Sequence, residues 1–216
     1  MVRCRRSSSR PALALALAVG AVVALGPRVA PANVAEQRSR LPPAARCEDP
    51  VTGVWKSHLY NDRRGRWTVW LLTVRRTPGT TEGIEGTILN DSWHGEPGAS
   101  EPGTCAQHPW HFRVAMDAKG TFTGGRVAFS ATRFEILPWP CAPIPSFRYN
   151  LDNFTGDVDP ALQEFQSVNN DGGSAVNEPA VFRRISCSED PESEPAQKAT
   201  PYVEPPPFFP PRSAGC

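Results

Sequence analysis

Along most of the chain, apolar and polar residues alternate with a period of two, the pattern of strands that turn one face to a core. The clearest stretch places Trp110, Phe112, Val114 and Met116 on one face, with His111, Arg113, Ala115 and Asp117 on the other. Between Cys47 and Cys187 no segment longer than about eight residues shows the 3.6-residue apolar stripe of a helix. Alternation bounded by turn residues predicts strands near 51–60, 66–76, 84–91, 108–117, 126–136, 146–154, 161–168 and 179–187. Asn61 to Gly65, Asp117-Ala118-Lys119-Gly120 and Asp171-Gly172-Gly173 read as turns between them.

Eight strands in sequence with short links predict an all-β domain, a single antiparallel up-and-down barrel over residues 47–187. Closure removes the exposed edges that invite aggregation; a β-sandwich is the alternative. The second strand is apolar on both faces: Trp67, Val69 and Leu71 on one, Trp70, Leu72 and Val74 on the other. One face fills the lumen, so the other needs a cover, from a loop, the tail or a partner.

The flanks differ in kind. Residues 1–32 hold Arg3, Arg5, Arg6, Arg10 and Arg28 and no acid, and Pro11 to Gly26 is an apolar run of 16. A positive start, a run shorter than the roughly 20 residues of a membrane span, and Ala30-Pro31-Ala32 read as a cleavable signal peptide. The expectation is a secreted or periplasmic protein, in contact with a membrane only where that segment stays uncleaved. Residues 33–46, with Pro42-Pro43, read as a linker. Residues 188–216 hold 8 of the 24 prolines and read as a disordered tail, a spacer or a peptide for an aromatic groove on an envelope protein.

The chain carries 23 basic and 22 acidic residues; without the five arginines of the first segment, 18 stand against 22. That balance opposes a nucleic-acid partner. Locally, Lys56, Arg63, Arg64, Arg66, Arg75 and Arg76 interleave with Trp55, Trp67 and Trp70. Such interleaving can bind single strands, but arginine stems lying over apolar surface give the same pattern.

Cysteines test the topology. Cys47 precedes the first strand and Cys187 ends the last, neighbours at one end of a closed meander. Cys105 and Cys141 sit in the connections after strands three and five, at the opposite end. The barrel therefore pairs Cys47 with Cys187 and Cys105 with Cys141, as an oxidising compartment allows. A zinc site from Cys105, His108, His111 and His94 is not expected, because His108 and His111 fall on opposite faces of one strand. Asp157-Val158-Asp159 and Asn169-Asn170-Asp171-Gly172 offer hard oxygens for calcium but read as turns.

The loops after strands one, three, five and seven share the open end. It gathers Trp93, His94, Trp139, Asn169, Asn170 and Asp171, which suits a small-molecule pocket. Trp70, Trp110, Phe112, Phe129, Phe147 and Tyr149 are the ring-bearing candidates for the lumen beneath it. No G-x-S-x-G, P-loop or G-x-G-x-x-G occurs, so neither a catalytic apparatus nor a cofactor is expected.

Gly53-Val54-Trp55 at the start of the first strand, with Arg183 and Arg184 on the last, resembles the lipocalin and wider calycin pattern. The resemblance implies an eight-stranded barrel closed at one end with an apolar ligand inside. It implies a structural role for Trp55 and for one of the two arginines, packed across the indole at the floor. The Thr-Asp-Tyr motif of typical lipocalins is missing, and avidin-like barrels fit the same strand count. The sequence thus predicts an exported, disulfide-stabilised barrel for a small apolar ligand. The alternatives are an envelope interaction module and an enzyme with its site at the mouth, His94 first among its candidates.

Overall fold

A computed structural model of the chain describes residues 31–106, 110–141, 147–169 and 179–189. They form one helix, α1 (Pro31–Arg40), and eight strands. The strands are β1 (Gly53–Asn61), β2 (Arg66–Arg76), β3 (Gly83–His94), β4 (His111–Thr123), β5 (Arg126–Ile136), β6 (Asn153–Asp159), β7 (Glu164–Val168) and β8 (Pro179–Ser186). Each is antiparallel to the next and β8 returns to β1, which closes the barrel in chain order. Both expected disulfides are present, Cys47–Cys187 at the floor and Cys105–Cys141 at the mouth.

Inward positions follow from register. Trp55 faces Leu72, which faces Ile88, which faces Met116, and all four are buried. Near the floor the rings of Trp55, Phe165, Phe182 and Phe154 make a chain of contacts with centroids 4.7–5.3 Å apart, edge-on except for the stacked Phe165–Phe182 pair.

Three elements differ from the sequence reading. Asp117 to Gly120 lie inside β4, not in a turn. A Cβ on Gly120 would stand 1.8 Å from the Ala128 carbonyl oxygen, so this glycine serves a close approach of β4 and β5. The hairpin comes later, at Gly124 and Gly125, whose φ of 60° and 83° suit the tight turn that joins twisted strands. Secondly, β6 starts at Asn153 and β7 at Glu164. Phe147 and Tyr149 alternate because both turn into the mouth and pack on the core, without a ladder. Pro160 to Gln163 make the next turn, held by Asp159 Oδ1 accepting from the Ala161 and Leu162 amides.

Thirdly, α1 occupies much of the expected linker. It anchors through polar atoms, which an apolar stripe cannot reveal. The buried Gln37 side chain donates to the Pro179 carbonyl (3.0 Å) and accepts from the Val181 amide (2.9 Å), extending the β8 backbone pattern. Arg38 and Arg183 both reach the buried Glu164 carboxylate, at 2.7 and 2.6 Å. The first 30 residues, the segment beyond 189, His108, Asn170 and Asp171 lie outside the described residues.

Candidate functional site

The mouth is built by the starts and ends of strands and by one disulfide. His94, the last residue of β3, stacks on Trp110 just before β4, with centroids 4.1 Å apart and 20° between planes. Trp110 meets Phe112 edge-on at 4.9 Å, and Phe112 meets Phe147 at 4.8 Å. Phe147 continues to Trp139 at 5.0 Å and to Tyr149 at 6.1 Å. The rings thus run from the β3–β4 connection to the β5–β6 connection, and Cys105–Cys141 ties the same two connections together. The His94 pKa is lowered, by partial burial first and by the Arg66 charge second. Both effects favour the neutral imidazole.

Beneath the rings lies a polar layer on the inward phase. Asp152, 1% exposed, accepts from Trp70 Nε1 (2.9 Å), from the Tyr149 hydroxyl (2.6 Å) and from Asn169 Nδ2 (2.7 Å). The Ser92 hydroxyl bonds Asn90 Oδ1 (2.8 Å) and Thr68 Oγ1 (3.1 Å). Ser57, opposite Trp70 in the ladder, is fully buried, and its Oγ has no hydrogen-bond partner among the described residues. A buried hydroxyl without a partner is costly, and it marks a place where a polar atom can be accepted.

Of the ring residues expected at the site, the structure brings His94, Trp110, Phe112, Trp139, Phe147 and Tyr149 together. Trp70 sits below them, bound to Asp152. Phe129 is fully buried deeper in the core. Trp93 faces outward on β3 and lines neither lumen nor mouth, because the last residues of β3 keep strict alternation and inward Ser92 fixes its phase. Sequence reasoning missed Asp152, Asn90, Ser92, Thr68 and Ser57. Alternation carried part of the signal, since Asn90 and Ser92 fall on the phase of Ile88, Thr68 on that of Trp70 and Ser57 on that of Trp55.

At the floor, Arg184 rather than Arg183 lies over Trp55, its guanidinium carbon 5.0 Å from the ring centroid. Arg184 donates to the carbonyls of Asp49 (2.6 Å) and Thr52 (3.1 Å), and the indole donates to the Val51 carbonyl (2.8 Å). Arg183 points outward to Glu164.

The Trp67 end of the second apolar face of β2 is covered from within the chain, while Val69 and Leu71 stay half-buried. Trp67 and Trp93 stack 6.2 Å apart at 15°, flanked by Tyr60 and His58. Residues 95–100 cross over them as a strap. Its carbonyls accept from Tyr60 (Gly95, 3.1 Å), Trp67 (Glu96, 2.9 Å) and Trp93 (Ala99, 3.1 Å), and His58 Nε2 bonds that of Ser100 (2.8 Å). The Arg40 guanidinium closes the cover, 4.6 Å above Trp67. Trp55 and Trp70 face inward and Trp67 is buried, so the indoles interleaved with basic residues present no exposed stacking face.

His58 is buried and its pKa is lowered, by desolvation first and the Lys56 charge second, with the Ser100 bond opposing. An imidazole whose folded pKa lies below its ordinary 6.5 takes up a proton more readily unfolded. Its stabilising contribution is therefore complete above that value and is lost as pH falls toward and through the folded pKa. In urea titrations followed by tryptophan fluorescence, the wild type is expected to lose more stability between neutral and mildly acidic pH than His58→Gln. Parallel losses would contradict this.

Among the described residues no group of three or more His, Cys, Asp or Glu side chains is placed to hold a metal ion, and Cys105 is committed to its disulfide. No helix among them is long and apolar enough to cross a membrane. Comparison with protein-family models, with curated proteins and with solved structures finds no significant match to this chain.

Proposed function

We propose that the chain is an exported, lipocalin-like barrel that takes up a small, largely apolar molecule with one hydrogen-bonding end at its mouth. The observation that carries this reading is the pairing of part-buried rings, Trp110, Trp139, Phe147 and Tyr149, with a buried polar layer holding the unpartnered Ser57 hydroxyl. Apolar walls with a few convergent polar groups are the usual make-up of small-molecule sites. Ring faces supply most of the binding free energy by burial, and the polar layer fixes orientation. Export accords with the two disulfides, which persist in oxidising compartments. It accords also with the arginine-led apolar segment at the start of the chain.

The test is fluorescence titration of the oxidised protein with N-phenyl-1-naphthylamine, an apolar amine probe, alongside native mass spectrometry of protein recovered from an exporting host. Saturable binding is expected, weakened about tenfold by Phe147→Ala, the loss that follows from removing one desolvated ring. No saturable binding and no retained small molecule would defeat the proposal.

A further inference from the structure

β5 is paired with β4 along its length apart from a bulge at Thr132, but with β6 only from Arg126 to Ser130. The Ala131 amide still reaches the Asp152 carbonyl, at 2.9 Å. Beyond it, Thr132 to Ile136 remain in strand conformation with no ladder partner on that side among the described residues. Burial alternates as far as Ala131 and then stops, so that Thr132, Arg133, Phe134, Glu135 and Ile136 are all exposed. Phe134 is 42% and Ile136 39% exposed, two of the four large apolar residues so placed among the described residues.

Register identifies the unused backbone groups. The Leu137 amide donates to the Arg113 carbonyl, so Glu135 and Arg133 also turn their backbone toward β4. Phe134 and Ile136 must then turn N–H and C=O outward. A bare edge flanked by apolar side chains is a template for another strand.

We propose that this edge pairs with the same edge of a second copy of the chain, as a two-fold antiparallel ladder centred on Phe134. Centred there, Phe134 of each copy exchanges both hydrogen bonds with its counterpart. On the outer face, Arg133 stands opposite Glu135 of the second copy, and Glu135 opposite its Arg133. The alternative centre, Glu135, would set two carboxylates directly against each other, so charge selects the register. On the β4 side, a cleft of about 330 Å³ lies over β3, β4 and β5, lined by Thr87, Ala115, Asp117, Arg133 and Glu135. A ladder of this length falls short of a standard interface of about 800 Å² per partner, so the dimer is reversible and concentration-dependent.

Sedimentation velocity of the purified, oxidised full chain, from micromolar to millimolar concentration, tests the pairing. A reversible dimer is expected for the wild type. Arg133→Glu alone and Glu135→Arg alone each weaken it about tenfold, because like charges then face each other twice. An equimolar mixture of the two single variants recovers the dimer, and so does the double variant Arg133→Glu/Glu135→Arg. The mixture also shows that each single variant is folded and competent. A wild type that stays monomeric throughout, or a dimer indifferent to both reversals, overturns the proposal.

Discussion

The double variant Cys47→Ala/Cys187→Ala is expected to lose about 5 kcal/mol of unfolding free energy, more than removal of the other bridge. The bridge joins residues 140 positions apart, so its loss restores to the denatured chain nearly all the freedom of the barrel sequence. The folded side of the balance is weakened as well. β1 and β8 share only three matched positions, Val54 with Ser186, Trp55 with Arg184 and Lys56 with Arg183, and a bulge interrupts them. The other bridge encloses 36 positions, and its paired alanine variant is expected to lose about 4 kcal/mol by the same chain-entropy reasoning. Urea unfolding of the oxidised wild type and both double variants checks the order. A smaller loss for the floor bridge than for the mouth bridge would show that native-state interactions, rather than loop closure, dominate.

Trp55→Ala comes next, with an expected loss of about 3–5 kcal/mol, the usual range for deleting a buried large aromatic ring. Trp55 is wholly buried, donates to the Val51 carbonyl and packs edge-on to Phe165 at 5.3 Å. Its removal also uncovers one face of Arg184, a buried guanidinium whose pKa is lowered by desolvation and partly restored by Asp49. Trp55→Phe keeps a ring beneath the cation and should lose less, although the hydrogen bond to Val51 goes. Equal stability of the alanine and phenylalanine variants in urea would refute the role given to the ring face.

The barrel was legible because closure needs little beyond alternation and short links, and Trp110 to Met116 displays both. The disulfide pairing followed from that closure, since Cys47 and Cys187 can meet only if the first and last strands do. Glycine was the weak signal: Gly120 looked like a turn residue, yet it relieves contact with the Ala128 carbonyl inside a hairpin. Periodicity alone also could not separate Phe147 and Tyr149 from a strand, because two rings entering one cavity alternate as strand residues do. The helix escaped notice for the opposite reason: its anchor is Gln37, which replaces backbone bonding on β8 and adds nothing apolar to the pattern. At the site, the walls were readable as aromatic residues near loops. In the layer below them, alternation marked the phase of Thr68, Asn90, Ser92 and Ser57, but Asp152 acquires its meaning only when Trp70 and Asn169 arrive from other segments beside its near neighbour Tyr149.

The sulfur bridge at the floor encloses all eight strands between its two half-cystines. If the protein were held by both ends, tension would pass through that covalent bond and bypass the sheet entirely. Among the described residues, those outside the bridge, α1 and the stretch up to Arg46 at one end and Ser188 and Glu189 at the other, would peel away under load. Pulled from its ends, the oxidised barrel is mechanically a fixed bead, and reduction turns the same chain into one that can unravel.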